Sequence, residues 1–342
     1  MDKAFLQHIA YYLPEDTLTN DELSSLFPEW SPEKILKKTG VETRHISAAN
    51  ETAVDMAEKA ARKLFEESGV SKDSVDFVIL CTQSPDYYLP TSACIIQDRL
   101  GINEKSGAFD FNLGCSGYVY GLGIAKGLIE SGQAKCILLL TSETYTKYLH
   151  PDDKSCRTIF GDGAAASIIS SGKQEGGFNA RIDKITYRTI GSHFQSLIVE
   201  NGCSRNPKKG ETSDIKDEEG AYVRNADNLF MDGRDIFDFS AHAVPEVIDE
   251  NIKVNCLEKE DIDLFVFHQA NAYMLNFVKM RAKLPSDKVV VDLKNLGNTV
   301  SSTIPIALCR RNIENPIERG AKVMLCGFGV GLSVGAVTMS FE

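Results

Sequence analysis

Short apolar runs alternate along this chain with segments whose apolar residues recur every three or four positions. Residues 77–81, 107–111, 136–141 and 164–169 read as strands, being brief, rich in Val, Ile, Leu and Phe, and bounded by turn residues. Residues 52–67 place Ala, Met and Leu on one helical face, and 92–100 and 116–130 also read as helices. Further on, 264–267, 289–293 and 322–326 read as strands. Alternation of this kind predicts an α/β chain of mostly parallel sheets covered by helices. The helix at 116–130 carries Gly117, Gly121 and Ala125 at four-residue spacing. Glycine weakens a helix, so this face predicts close packing of a helix buried between two sheets.

The pattern repeats itself. Residues 70–79 match 257–266 as a turn followed by a buried strand, and 134–138 match 321–325. Both matches fall at one offset of 187 residues, which predicts two similar halves, 1–172 and 173–342. Between about 200 and 219, Gly202, Pro207, Lys208, Lys209, Gly210 and an acidic run read as an exposed loop.

Composition narrows the class. At 342 residues the chain corresponds to about two units of roughly 150 residues, large enough to need no disulfide or metal staple. Its apolar runs, such as Cys136 to Leu140, fall far short of the roughly 18 residues of a membrane span. The first twelve residues lack the basic, apolar and small-residue regions of a signal peptide, so the expected compartment is the cytoplasm. Nine cysteines form no CxxC pair, which argues for free thiols, with Cys81, Cys136 and Cys326 as inert core residues. A net charge of −11 argues against nucleic acid; an acidic protein partner needs a local basic patch.

Three polar residues stand out by context. Cys115 follows the strand at 107–111 and a tight turn, and opens the next helix. A helix N-terminus favours a thiolate, the reactive form; a buried structural cysteine has the same local signature. His268 follows the strand at 264–267, where ligand crevices form in α/β folds, although taken alone it reads first as a satisfied turn histidine. Asn298 follows Gly297, as turn asparagines do, and gains meaning only beside the other two. Near the end, Gly327, Gly329 and Gly331 follow the strand at 322–326. The spacing is not that of a dinucleotide loop and no βαβ unit fits. A glycine turn there lets backbone N–H groups approach a substrate as an oxyanion hole.

Together these segments resemble the thiolase superfamily, most closely the 3-oxoacyl-acyl-carrier-protein synthase III family. The resemblance covers almost the whole chain. It includes Lys38-Thr39-Gly40-Val41 with Arg44-His45, Pro85 to Pro90, the Cys115 segment, and Phe160-Gly161-Asp162-Gly163-Ala164. It continues through Met231 to Phe237, His268-Gln269-Ala270-Asn271, Gly297-Asn298-Thr299 and the terminal glycines. It implies a five-layer αβαβα fold of two similar halves, a homodimer and a two-stage condensation. Cys115 takes an acyl group from a thioester. Malonyl-acyl carrier protein then loses carbon dioxide, and its carbanion attacks the acyl-cysteine. His268 and Asn298 are implied to donate to the malonyl thioester oxygen. The N–H groups of Cys115 and of the Gly329–Val330–Gly331 turn are implied to hold the tetrahedral oxyanion. Leu89, Phe160 and Phe328 are implied to line the acyl pocket, Leu89 from the partner subunit. No metal or redox cofactor is implied, because decarboxylation supplies the carbanion.

The chain departs from the family pattern at its mouth. Positions that often hold tryptophan and arginine near the adenine of acyl-CoA hold Lys34 and Lys38. The position of the arginine implicated in carrier-protein docking holds Tyr273, and Lys279, Arg281 and Lys283 on the same predicted helix are the candidate substitutes. Two other acyl-cysteine chemistries were weighed. Condensation of the HMG-CoA synthase type uses a glutamate base where this chain has Gln83, and an amide cannot take the proton. Acyl transfer to an oxygen or nitrogen nucleophile stays compatible with the sequence. A non-catalytic partner subunit is disfavoured because Cys115, His268 and Asn298 are all retained.

Overall fold

The structure, a computed structural model, describes residues 2–210 and 212–342. Met1 and Glu211, the latter in the predicted loop, lie outside the described residues. Nine strands of the described residues form one continuous ladder: β1 (Phe5–Tyr12), β2 (Phe77–Cys81), β3 (Gly107–Phe111), β4 (Cys136–Glu143), β5 (Gly163–Ser170), β6 (Ala180–Thr189), β7 (Leu264–Phe267), β8 (Lys322–Gly329) and β9 (Ser333–Phe341). Their order is β7-β8-β9-β6-β1-β5-β4-β2-β3. The principal helices are α1 (Pro32–Thr39), α2 (Ala53–Ser68), α3 (Ser92–Leu100), α4 (Gly117–Glu130), α5 (Gly233–Val254), α6 (Ala272–Arg281) and α7 (Thr303–Glu314).

The ladder mirrors itself about β1 and β6. The segments matched at the 187-residue offset become β2 and β4 in one arm and β7 and β8 in the other, and each arm pairs its two strands in parallel. Between the arms, β1 and β6 share only two register pairs, Phe5 with Arg181 and Leu6 with Ala180. The expectation of mostly parallel sheets needs correction. Only β2–β3, β2–β4 and β7–β8 are parallel, and the five central pairs are antiparallel. The tight link from β8 to β9 allows a hairpin, which a parallel pair cannot use. The predicted strand at 289–293 is also absent; it reduces to one bridge from Val289 to Phe265. The loop at 200–219 is largely irregular, apart from a two-residue strand at Ile215–Lys216 paired with Tyr222–Arg224.

Period-two alternation sorts the strands' side chains into layers. In β2, Ile79 faces a central core with Tyr118, Leu122 and Ile129 of α4 and Ile304 and Leu308 of α7. Its neighbours Val78 and Leu80 face an outer core with Met56, Ala60 and Leu64 of α2 and Ile96 of α3. In β8, Val323 and Leu325 face the central core, whereas Met324, Cys326 and Phe328 face α5 and α6. The result is five layers, α-β-α-β-α, with α4 and α7 sandwiched. The buried thiols Cys81, Cys136 and Cys326 are core residues, as expected. No helix of the described residues is long and apolar enough to cross a membrane.

Local sequence explains the elements that position the site. Thr52 and Asp55 form a capping box at the start of α2, and Gly69 ends it in the left-handed region. Helix α4 has no side-chain cap; the glycine face sets its position instead. A Cβ on Gly117 would stand 2.2 Å from the Cys81 sulfur, and one on Gly121 would stand 2.7 Å from Leu139. Replacing Gly121 with alanine is therefore expected to lower stability by about 1–3 kcal/mol through overpacking, in spite of alanine's better helix propensity. A thermal melt reads this; an unchanged or raised melting temperature contradicts the packing.

Candidate active site

Cys115 sits at the junction of strand, turn and helix. Ser116 is the N-cap residue and Gly117 the first residue of α4, so the sulfur lies just ahead of the helix. Beside it runs the end of β8, made bare by glycine. A Cβ on Gly327 would stand 2.6 Å from the Cys115 carbonyl oxygen, and one on Gly329 would stand 2.8 Å from the sulfur. The backbone N–H groups of Val330 and of Cys115 itself favour the thiolate form of that sulfur. The turn is pinned from behind, where the Ser333 hydroxyl donates to the Val330 carbonyl and lies 2.7 Å from the Ser116 hydroxyl.

The electrostatics differ from the expectation of a ready thiolate. Burial pushes the Cys115 thiol up to about 12, the Val330 N–H opposing and the Glu143 carboxyl adding to the rise. The helix N-terminus does not offset a site from which water is excluded, because desolvation penalises the charged form. The resting nucleophile is a thiol.

His268 follows β7 and is buried. Its Nδ1 lies 2.7 Å from the Thr303 hydroxyl, which is 3.0 Å from the Val300 carbonyl. Burial depresses the imidazole to about 3, only partly countered by the Val300 backbone, so it is neutral at working pH. Asn298 is buried beside it. Its Oδ1 accepts the Val300 N–H at 2.9 Å, which turns Nδ2 toward His268 Nε2 at 3.5 Å. Val300 makes this bond with φ at +56°, a left-handed conformation that costs a branched residue about 1–3 kcal/mol. The backbone of Asn298 is tied to the first half through Ile159 and Gly161, at 2.9 and 3.0 Å.

These segments meet at Gly114. A Cβ there would touch Val330 at 2.7 Å, Val300 at 3.2 Å and the Gln83 amide oxygen at 2.6 Å. Cys115 shares an apolar cluster with Tyr145, Cys156, Phe160, Leu197, Leu229 and Val300. Phe160 belongs to this cluster. Phe328 is not in that cluster: strand alternation turns it to the α5–α6 side, where it packs edge-on to His268 at 5.6 Å. Leu89 is 82% exposed and stands outside the cluster within one chain. Gln83 is a connector, accepting from the Tyr145 phenol at 3.1 Å and donating to Asn112 at 3.0 Å.

At the predicted mouth, Lys34 and Lys38 lie on α1 and hold their ammonium groups 5.5 and 4.4 Å from the Trp30 ring centre. Gly40, the C-cap of α1, packs against Ala272 at the start of α6. Tyr273, the next residue of α6, is exposed and stacks on Phe237. Lys279 and Arg281 lie on α6, but Lys283 does not: it follows the helix with φ at +54°. Arg281 is roughly 12 Å along the helix from Tyr273, so these cations do not form one patch around it.

Sequence reading missed Thr303, Tyr145 and Glu143. Thr303 lies five residues beyond Asn298 in a polar run, Ser301-Ser302-Thr303, that is buried, and nothing in the sequence marks it so.

Chemically, the arrangement offers one thiol beside a bare glycine backbone, and a carboxamide beside a neutral imidazole. Such groups can hold an acyl group on sulfur and stabilise developing oxyanions.

Comparison with known proteins points the same way. Residues 109–185 match the family model for 3-oxoacyl-[acyl-carrier-protein] synthase III, and residues 252–341 match that family's C-terminal model. The chain is 34% identical over 336 residues to the beta-ketoacyl-[acyl-carrier-protein] synthase III of Clostridium perfringens, covering 98% of each. It is 48% identical to a crystal structure of a 3-oxoacyl-(acyl-carrier-protein) synthase III, with a TM-score of 0.94 over 99% of this chain and all of that one. The Pseudomonas aeruginosa synthase III structure is 30% identical, with a TM-score of 0.85 over 99% and 98% of the two chains.

The buried thiol has a measurable consequence. Alkylation of Cys115 by iodoacetamide, followed by peptide mass spectrometry, is expected to be slow at pH 7 and to climb through pH 10. A plateau near pH 8 to 9, as for a free cysteine with pKa ~8.5, contradicts it.

Proposed function

Because the chain belongs to the 3-oxoacyl-[acyl-carrier-protein] synthase III family of condensing enzymes, we propose that Cys115 carries the acyl group, with His268 and Asn298 serving the malonyl half-reaction. The observation that carries this reading is the bare backbone of Gly329 packed on the buried Cys115 sulfur, with Val330 and the Asn298-bonded Val300 meeting beside it at Gly114.

In the first stage the sulfur attacks the carbonyl carbon of an acyl thioester. A carbon–sulfur bond forms and the oxyanion accepts from Cys115 N–H and Val330 N–H. The bond to the donor's sulfur then breaks, and the thiol proton leaves with the departing thiol. In the second stage the malonyl thioester loses its free carboxyl as carbon dioxide. The electron pair left behind is held as an enolate whose oxygen accepts from Asn298 Nδ2 and His268 Nε2. That pair attacks the acyl carbonyl, and the thiolate of Cys115 leaves to be reprotonated. Preorganised donors count for most where water is excluded. For Nε2 to donate, Nδ1 must accept, which requires the Thr303 hydroxyl, 2.7 Å from Nδ1, to turn its proton from the Val300 carbonyl to the ring.

The remaining assignments follow from this reading. The halves 1–172 and 173–342 supply the nucleophile and the malonyl-side donors respectively. The acyl chain lies against Phe160 and Tyr145, and Trp30 with Lys34 and Lys38 receives the nucleotide end of acyl-CoA. Acyl carrier protein approaches the α6 side, where Lys279 and Arg281 supply charge. The substrates provide all the chemistry, so no metal or redox cofactor takes part. The enzyme works in the cytoplasm as a homodimer, its exposed Tyr87, Tyr88 and Leu89 buried against the partner subunit. Decarboxylative condensation is preferred over the HMG-CoA synthase type because the Gln83 amide is committed to Tyr145 and Asn112.

Intact-protein mass spectrometry with a panel of acyl-CoA thioesters is expected to show one acyl adduct, absent in Cys115→Ala, and native spectra at twice the chain mass. His268→Ala, Asn298→Ala and Thr303→Val are expected to keep acylation within several-fold and to slow malonyl decarboxylation about a hundredfold, a typical loss for an oxyanion donor. Acylation that survives Cys115→Ala, or equal loss of both half-reactions, defeats the assignment.

A further inference from the structure

Glu143 has no part in the reading above. It ends β4 and is fully buried, which is rare for a glutamate without partners. Its hydrogen-bond partners are all neutral. Oε2 accepts the Gln83 N–H at 3.0 Å and the Ser84 hydroxyl at 3.1 Å, and Oε1 accepts the Ser301 hydroxyl at 2.8 Å. Alongside, the Thr141 and Ser302 hydroxyls lie 2.9 Å apart. The donors come from two distant places in the chain. Gln83 and Ser84 follow β2 and border Gly114, next to the nucleophile. Ser301 lies between Asn298 and Thr303, the two residues that orient the malonyl-side donors.

We propose that Glu143 is a positioning residue of the active site, one buried carboxyl that fastens the Asn298-bearing segment of the second half to the loop flanking Cys115 in the first. The inference rests on the roles given to Cys115 and Asn298.

Through Gln83, which bonds Glu143 and borders Gly114 next to Cys115, the carboxyl also lies behind the nucleophile, where its charge is expected to matter. The titratable groups facing it are Asp162, Cys81, Cys115, Tyr145 and Tyr148, none of them cationic. Burial pushes Glu143 up to about 8, while the Gln83 N–H and the Ser301 and Ser84 hydroxyls pull it down and Asp162 adds to the rise. At pH 7 it is largely a neutral acid, and it becomes charged as pH rises through about 8. Once charged it opposes ionisation of Cys115. The site therefore resists forming two buried anions at once.

Two experiments test this. First, the Cys115 alkylation rate is compared between Glu143→Gln and the native enzyme from pH 6 to 10. The ratio is expected to be near one below pH 7 and about tenfold in the variant's favour above pH 9, one pKa unit being a factor of ten. A ratio flat across the range overturns the electrostatic role. Alkylation reads the thiol whether or not it is acylated in turnover, so failure here is separable from failure of the condensing assignment. Second, because Glu143→Gln can unfold, Ser301→Ala is measured in parallel. It is expected to keep Cys115 acylation within about twofold and to slow malonyl decarboxylation about tenfold, the effect of losing one hydrogen bond. Equal loss in both half-reactions, or none in either, overturns the positioning role.

Discussion

A sulfur meant to form a covalent intermediate must be shut away from water and still be met by hydrogen-bond donors. In this protein both needs are answered by the bare backbone at the end of β8. Glycine at 327 and 329 lets that strand lie against Cys115 closely enough that a single added methyl would collide with the sulfur or its carbonyl. The backbone N–H groups of Val330 and Cys115 then favour the charged sulfur against the cost of burial. Backbone donors cannot swing away, and they require no reorganisation when charge develops. The cost is a resting thiol pushed far above its free value, so reactivity depends on what a bound substrate brings.

The five layers serve this junction. The nucleophile opens α4 in the sandwiched layer, His268 ends β7, and Asn298 lies in a segment pinned to Ile159 and Gly161 of the other half. A site built between two halves needs ties across them, and the ties are polar and buried: Thr141 with Ser302, Glu143 with Ser301, Ser116 with Ser333. Partly satisfied, such a network would be worse than an apolar core. Here each hydroxyl has a partner, and the strained Val300 is held by the bond that aims the Asn298 amide. The strain at Val300 and these buried ties both lie where the chemistry is proposed.

Much of this was legible in the chain. Residues 77–81, 107–111 and 264–267 as strands and 92–100 as a helix fall where the hydrophobic pattern put them; 77–81 and 264–267 are continuously apolar because helices cover both their faces. The repeat at 187 residues marked the two parallel strand pairs that recur in the ladder. The glycine face of α4 signalled close approach, and Gly117 and Gly121 meet Cys81 and Leu139. What escaped was long-range. Apolar runs do not encode strand direction, so the antiparallel centre was missed. Residues 289–293 are apolar and β-branched yet pair at a single bridge, since pairing depends on a neighbour the pattern cannot see. The ionisation of Cys115 was misjudged because a helix start is visible in sequence and desolvation is not. Thr303 and Glu143 were invisible for the same reason.

The claim on which the account rests is that carbon–carbon bond formation at Cys115 is driven by loss of the malonyl carboxyl. It is tested most directly by single turnover of acyl-loaded enzyme with malonyl-acyl carrier protein labelled in the free carboxyl. The account predicts one labelled carbon dioxide released for each 3-oxoacyl product and for each acyl group lost from Cys115. Product that retains the label, or acyl loss without labelled carbon dioxide, contradicts it.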